Sequence, residues 1–329
     1  MATLAQFPKN PPAPARRTSV GPLHKLSFPA LGTTCEVQYA SPGDDLPDVA
    51  FELAAVGWVL SFEAKYSRFK STSLISQINA AAGRAWIEVD EEMEELFGLC
   101  DSLHIMTQGV LDPTALPLIK LWNWKAEHPV IPTPDMIEAA RRLTGWKKVH
   151  RAAGKVFLPE PGMALDFGGF GKEYAVDIIA QTAQSYGITN VLVDFGHDLR
   201  AIGAPPGRPA WHIGLEDPNH PGLTAGSIAI NNKGVASSGD YVRCFKIDGR
   251  RYGHIIDPRT GCPAANGCTQ ATVIAGSCLQ AGVLSTTAFV LGLTAGIEFI
   301  RSFPGAEGII VGESRRAQTP GFFNHVVSS

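Results

Sequence analysis

Between Leu165 and Tyr174 the sequence reads LDFGGFGKEY, so an aspartate, three glycines and a lysine fall within the stretch Asp166 to Lys172. The apolar run Met163, Ala164, Leu165 and Phe167 predicts a short buried strand that Asp166 interrupts. Ala175, Val176, Ile179, Ala183 and Tyr186 then recur at helical spacing up to a terminating Gly187. Gly168 to Gly171 would form the strand-to-helix turn, where backbone N–H groups at the positive end of a helix can hold a phosphate. The same glycines also suit a corner that needs only positive φ or close packing. The turn is not a G-x-G-x-x-G fingerprint, because Tyr174 stands in the last glycine's place, and it is not a G-x-x-x-x-G-K-[ST] loop.

A second dense stretch, DYVRCFKIDGRRYGHIIDPRTGCPA, spans residues 240–264. Asp248-Gly249 predicts a hairpin turn, and the second arm delivers His254 and Asp257. A histidine near an acid at a strand end suits general-base chemistry. A histidine that merely hydrogen-bonds within its own turn fits the same spacing.

The elements that must position these residues alternate only in places. Residues 28–40 read as a strand broken at Gly32, 53–69 and 91–107 as helices, 135–144 as a short helix and 156–158 as a strand. Pro113 and Pro117 exclude a regular helix there and make Val110 to Thr114 an ordered loop. Strands follow at 190–196, near 226–230 and at 243–247, and CLQAGVLSTTAFVLGLTAGIEFI reads as one long or two short buried helices. The Gly/Pro-rich loops hold most of the unusual residues, which points to an α+β fold with a site assembled from loops.

With 45% hydrophobic and 18% charged residues, the 329-residue chain can bury a large core. A net charge of −3 offers no basic field for nucleic acid, and no apolar run is long enough to span a bilayer. Residues 1–26 read as a disordered leader without an apolar signal stretch or lipid-anchor cysteine, and 324–329 as a tail. Six scattered cysteines without C-x-x-C spacing suit a reduced, cytoplasmic chain.

The segments FPALGTTCEV, YSRFKSTSLISQIN, GVLDPTALPLIKLW, LDFGGFGKEYAVD, NVLVDFGHDLRAIG, SSGDYVRCFKIDGRRYGHIIDPRTGCP and TVIAGSCLQAGVLSTTAFVLG occur in this order over residues 27–323. In order and spacing they resemble the ApbE family, the FAD:protein FMN transferases. The resemblance implies a T-fold-related arrangement of mixed sheets and helices with a loop-built flavin site. It implies Mg²⁺-assisted transfer of the FMN half of FAD to a threonine of a flavin-accepting protein, with release of AMP. It implies FAD contacts at Leu31, Phe69, Val110, Leu111, Asp112, Asp166, Lys172 and Ile256, and it makes His254 the base for the target threonine. The Gly169 carbonyl, Ser285 and Thr286 would serve a metal.

The sequence departs from the family pattern A-D-[AG]-x-[SD]-T at its metal aspartate, where QAGVLSTTAF places Gly282. Glu173 likewise stands where the motif GGIAKG has its last glycine, and Gly171 where it has alanine. Loss of a carboxylate is expected to weaken Mg²⁺ binding unless another acid, such as Asp257, replaces it. An aspartate restored at 282 is expected to fit its helix without strain. Three outcomes stay open: a working transferase, a flavoprotein that keeps FAD as a bound group, and a flavin-binding partner without turnover.

Overall fold

The computed structural model describes residues 15–41, 43, 45–220 and 222–327. A meander opens the chain: β1 (Arg16–Val20), β2 (Leu23–Ala30) and β3 (Thr33–Tyr39). Leu31 and Gly32 join β2 to β3 with φ of 52° and 71°, the paired positive values that let a two-residue loop follow strand twist. Next come α1 (Asp45–Tyr66), α2 (Leu74–Ala80), β4 (Ile87–Glu88) and α3 (Glu91–Met106). Asp90 caps α3, and Glu91, Glu92 and Glu94 occupy its first turn, where carboxylates complement the helix dipole. α4 (Leu116–Leu121), α5 (Pro134–Arg142), β5 (His150–Ala152) and β6 (Lys155–Phe157) lead to α6 (Gly171–Ser185). β7 (Val191–Phe195), β8 (Asp198–Ile202), β9 (Trp211–Glu216), β10 (Thr224–Ile230) and β11 (Gly234–Gly239) follow. The chain continues through β12 (Cys244–Ile247), β13 (Arg250–Gly253), β14 (Ile256–Asp257), β15 (Cys262–Pro263) and β16 (Cys268–Ala275). It closes with α7 (Cys278–Leu291), α8 (Leu293–Arg301), β17 (Glu307–Gly312) and β18 (Arg316–Gln318).

Nine strands form one sheet in the order β1-β2-β3-β7-β8-β11-β16-β17-β18, each antiparallel to its neighbour. β7 shows how the sequence sorts its two faces. Val191, Val193 and Phe195 join the core beneath α1 and α6, whereas Leu192 joins a second core under β9 and β10. α7 and α8 cover the other half of the sheet through Val273, Leu284, Phe289, Ile300 and Ile310. The two halves meet where β8 pairs with β11 at only two positions, Arg200–Gly234 and Leu199–Val235. Past Val235 the β11 ladder continues on the β16 side alone, which leaves the sheet open beside the start of α6.

The mixed α+β class is observed, as are the Asp248-Gly249 hairpin between β12 and β13 and the ordered Val110–Thr114 loop. The C-terminal apolar stretch is two helices, parted at Gly292 with φ of 87°. Two expectations are corrected. The leader was drawn to residue 26, yet β1 pairs with β2 from Arg16 onward; its five side chains are exposed, so burial patterning could not reveal it. Residues 1–14 of that leader lie outside the described residues. Met163 to Phe167 is buried but is not a sheet strand, because Leu165 exchanges hydrogen bonds with the Asn79 amide and Asp166 N–H donates to Pro113 O at 2.8 Å. Near the C-terminal end, Val327 N–H donates to Ser227 O at 2.9 Å. No helix among the described residues is long and apolar enough to cross a membrane.

Candidate active site

A cleft of about 1670 Å³ opens at the β8–β11 junction. That exceeds the ~300–1,000 Å³ of most small-molecule sites and has room for a dinucleotide. Leu31 enters its wall from the β2–β3 turn, and its N–H donates to Glu63 Oε1 at 2.8 Å, which ties the turn to α1. Phe69, just beyond α1, also lines the cleft and is 81% exposed, with the Arg68 guanidinium 4.5 Å from its ring centre. An open ring at a cleft's edge can stack on a planar heterocycle. Arg68 Nε lies 3.3 Å from Asp166 Oδ2, linking that edge to the glycine turn.

Val110 and Leu111 are buried in the wall, and Leu111 N–H donates to Thr107 Oγ1 at 3.0 Å. Asp112 lines the cleft, yet its carboxylate serves the fold. Oδ1 accepts from Thr114 N–H at 2.8 Å and Thr114 Oγ1–H at 2.5 Å, and Oδ2 accepts from Trp146 N–H at 2.9 Å. The Asp112 carboxylate, expected to contact FAD, is therefore occupied in fixing the shape of its own loop. Asp166 Oδ1 accepts from Gly168 N–H at 3.3 Å, and burial raises its carboxyl above the usual range while Arg68 opposes the rise.

Positive φ does not explain the glycine turn, for none of Gly168, Gly169 and Gly171 adopts it. A Cβ at Gly168 would come within 3.1 Å of Asp166 Oδ2, so that glycine leaves room for the carboxylate. At Gly169 a Cβ would meet only Leu111 Cδ2 at 3.6 Å, an ordinary contact, and the residue is exposed to the cleft. What glycine adds there is bare backbone at the start of a helix. Lys172, expected to contact FAD, is not a free cation. It lines the cleft, but its ammonium donates to Asp198 Oδ2 and, at 3.0 Å, to Phe195 O.

His254 faces the cleft from the turn after β13, and Ile256 lines it as a buried side chain. His254 Nδ1 lies 3.2 Å from Arg243 O. A carbonyl can only accept, so this contact assigns the proton to Nδ1 and leaves the Nε2 lone pair available. Burial, aided by the Arg243 charge, lowers the imidazole pKa to about 4, so the ring is neutral near pH 7. Asp257 is not part of the wall. Arg259 Nε and Nη2 each reach one of its carboxylate oxygens at 2.9 Å, so it is not available as a replacement metal ligand or as His254's partner.

Ser238 Oγ lies 2.9 Å from Ser285 Oγ and 2.8 Å from Thr286 Oγ1. Thr286 and Ser238 line the cleft, whereas Ser285 is buried beneath and donates to Gly282 O at 3.0 Å. At Gly282 the expectation that aspartate would fit changes. The helix backbone would permit it, but a Cβ there would lie 2.6 Å from Glu173 Cγ and 3.1 Å from Glu173 Cδ. Sequence reasoning gave no role to Glu173, Arg68, Ser238 or Asp194, all of which line the cleft. Asp194 and His197 stood inside the quoted NVLVDFGHDLRAIG, where the acid and histidine at the strand end were the unused signal. Asp194 Oδ1 accepts from His197 N–H at 2.8 Å in the β7–β8 turn.

The sequence model described as the ApbE family matches residues 31–310. The FAD:protein FMN transferase of Treponema pallidum (strain Nichols) is 29% identical over 306 residues, covering 88% of this chain and 84% of that protein. The FAD:protein FMN transferase of Salmonella typhimurium is 31% identical over 257 residues, covering 76% and 72%. The crystal structure of the ApbE protein from Thermotoga maritima matches with a TM-score of 0.80 at 32% identity, over 93% of this chain and all of the other. Flavin transferase ApbE from Vibrio cholerae gives 0.79 at 26% identity, over 95% of this chain. A sequence match across most of the chain and a shared architecture lead to one conclusion: the chain belongs to the ApbE family.

Proposed function

We propose that the protein is an FAD:protein FMN transferase that moves FMN from FAD to a threonine of a second protein and releases AMP. The observation that carries this reading is one cleft shared by an open aromatic ring at Phe69, bare backbone at Gly168 and Gly169, and a neutral histidine at His254. The names of the relatives given above support it. In the reaction, His254 Nε2 takes the proton of the threonine hydroxyl. The threonine oxygen forms a bond to the FMN phosphorus, the bridging P–O bond breaks, and AMP leaves with that electron pair. His254 then gives its proton to solvent. The donors facing the cleft suit Mg²⁺, which prefers oxygen: the Gly169 carbonyl and Thr286 hydroxyl would hold it, and it would neutralise pyrophosphate charge.

The test is incubation with FAD, Mg²⁺ and a threonine-containing acceptor, with AMP and the acceptor's mass as readouts. Equal amounts of AMP and FMN-bearing acceptor are expected. FAD bound without either product would favour a flavoprotein that keeps its flavin.

The pH dependence follows from His254. Its base form is present above its pKa, so kcat/KM is expected to hold through pH 6.5 and fall with a midpoint near 4. A midpoint of 6.5 or above would remove His254 from this role. The folded-state pKa lies below the unfolded value, so the associated stability is present above pH 6.5 and is lost as pH falls towards 4.

A further inference from the structure

The space above Gly282 is already filled by a carboxylate from the opposite helix. Gly282 lies on α7 and Glu173 in the first turn of α6, across the junction of the sheet's two halves. A Cβ at Gly282 would be 2.6 Å from Glu173 Cγ and 3.1 Å from Glu173 Oε1. Glu173 lines the cleft, yet its Oε2 is closed off from solvent and has no hydrogen-bond partner among the described residues. A buried carboxylate oxygen without a partner is costly unless something positive or a donor reaches it. Lys172, its chain neighbour, donates instead to Asp198 and Phe195 O. The Thr286 and Ser238 hydroxyls, 2.8 Å apart, and the Gly169 backbone line the same cleft.

We propose that Glu173 is the carboxylate ligand of a divalent cation in this protein, delivered from α6 into the place that a side chain on residue 282 of α7 would otherwise fill. The inference rests on the reading of the cleft as an FAD site, since a magnesium-sized ion held by one carboxylate draws its remaining oxygens from hydroxyls, a carbonyl, water and substrate phosphates. Among the described residues no three His, Cys, Asp or Glu side chains gather to hold a metal by themselves, so a site here depends on that mixed set. The geometry also accounts for glycine at 282: any larger side chain would compete with Glu173 for one volume.

Mn²⁺ serves as the probe, with its binding followed by electron paramagnetic resonance in the presence of FAD, and FAD binding measured separately in EDTA. Glu173→Gln keeps the shape and removes the charge. It is expected to weaken Mn²⁺ binding by at least ~10-fold, as expected for a ligand when outer partners alone cost 10- to 100-fold. In EDTA it should bind FAD at least as tightly as the unmodified protein, because an anion near the pyrophosphate is gone. Gly282→Asp alone should also lower Mn²⁺ affinity by crowding Glu173, whereas the double variant Glu173→Gly, Gly282→Asp should regain binding through one carboxylate from α7. Circular dichroism and thermal melting accompany each variant, and the Gln variant decides should the others lose their fold. Mn²⁺ binding unchanged by Glu173→Gln overturns the assignment while leaving the transferase reading intact. No FAD uptake by the unmodified protein in EDTA overturns the transferase reading itself.

Discussion

His254→Ala is expected to lower the rate of FMN transfer by about 100-fold or more and to leave FAD affinity nearly unchanged. Positioned general bases contribute roughly 10²–10⁴ to rate. His254 is suited to this role because its Nδ1 is engaged by Arg243 O and its ring is held neutral. Alanine removes the Nε2 acceptor, so on the proposed mechanism the threonine would have to lose its proton to water. The fold should tolerate the change. The residue is only partly buried and lies in the turn between β13 and β14, and the neighbouring stack of Tyr252 on Phe245 and Trp122 is untouched. AMP release at saturating FAD gives the rate, and a fluorescence titration gives the affinity. A variant as fast as the unmodified protein would return His254 to a residue that only ties its turn together.

Gly234→Ala is expected to destabilise the protein by about 3 kcal/mol or more, at the upper end of overpacking costs. Gly234 begins β11 with ordinary φ, so the cause is not backbone strain. Its missing Cβ would fall 2.2 Å from Ser277 C and 2.3 Å from Cys278 N, where main chain enters α7. Main chain there cannot step aside like a side chain. Cys278 and Leu279 N–H groups donate to Asp177 at 2.9 and 2.8 Å, and Ser277 caps the helix through Gln280 N–H. Gly98→Ala supplies the contrast. A Cβ at that interior position of α3 meets nothing within 4 Å, and alanine should stabilise the helix by up to about 1 kcal/mol. Urea unfolding of both variants measures the difference, and equal midpoints would show that β11 and α7 are not in the close contact described.

Local patterns made much of this legible. Alternation marked β3, the short run NVLVDFG marked β7, helical spacing marked α3 and α6, and Asp248-Gly249 marked the β12–β13 hairpin. Most residues named for the site do face one cleft. What local pattern could not supply was the partner of each polar side chain. Asp112 looks like a ligand-binding acid until Thr114 and Trp146 are seen to occupy it, and Lys172 looks free until Asp198 folds against it. Asp257 is bound by Arg259 two residues away, a pairing the sequence permitted without requiring. Gly282 and Glu173 appeared as two separate departures from a motif. Only the packing of α6 against α7 shows that they concern the same space.

The two-pair ladder between β8 and β11 has a thermodynamic consequence. Each half of the sheet has its own helices and core, and the backbone tie between the halves is shortest beside the cleft. A molecule held at once by the α6 turn and by α7 would act as a non-covalent brace between them, adding its binding free energy to the folded state alone. At a free concentration one hundred times its Kd, mass action sets that contribution at about 2.7 kcal/mol. Occupancy of the cleft and cohesion of the two halves are thus linked quantities, and substrate supply would govern how firmly the molecule holds together.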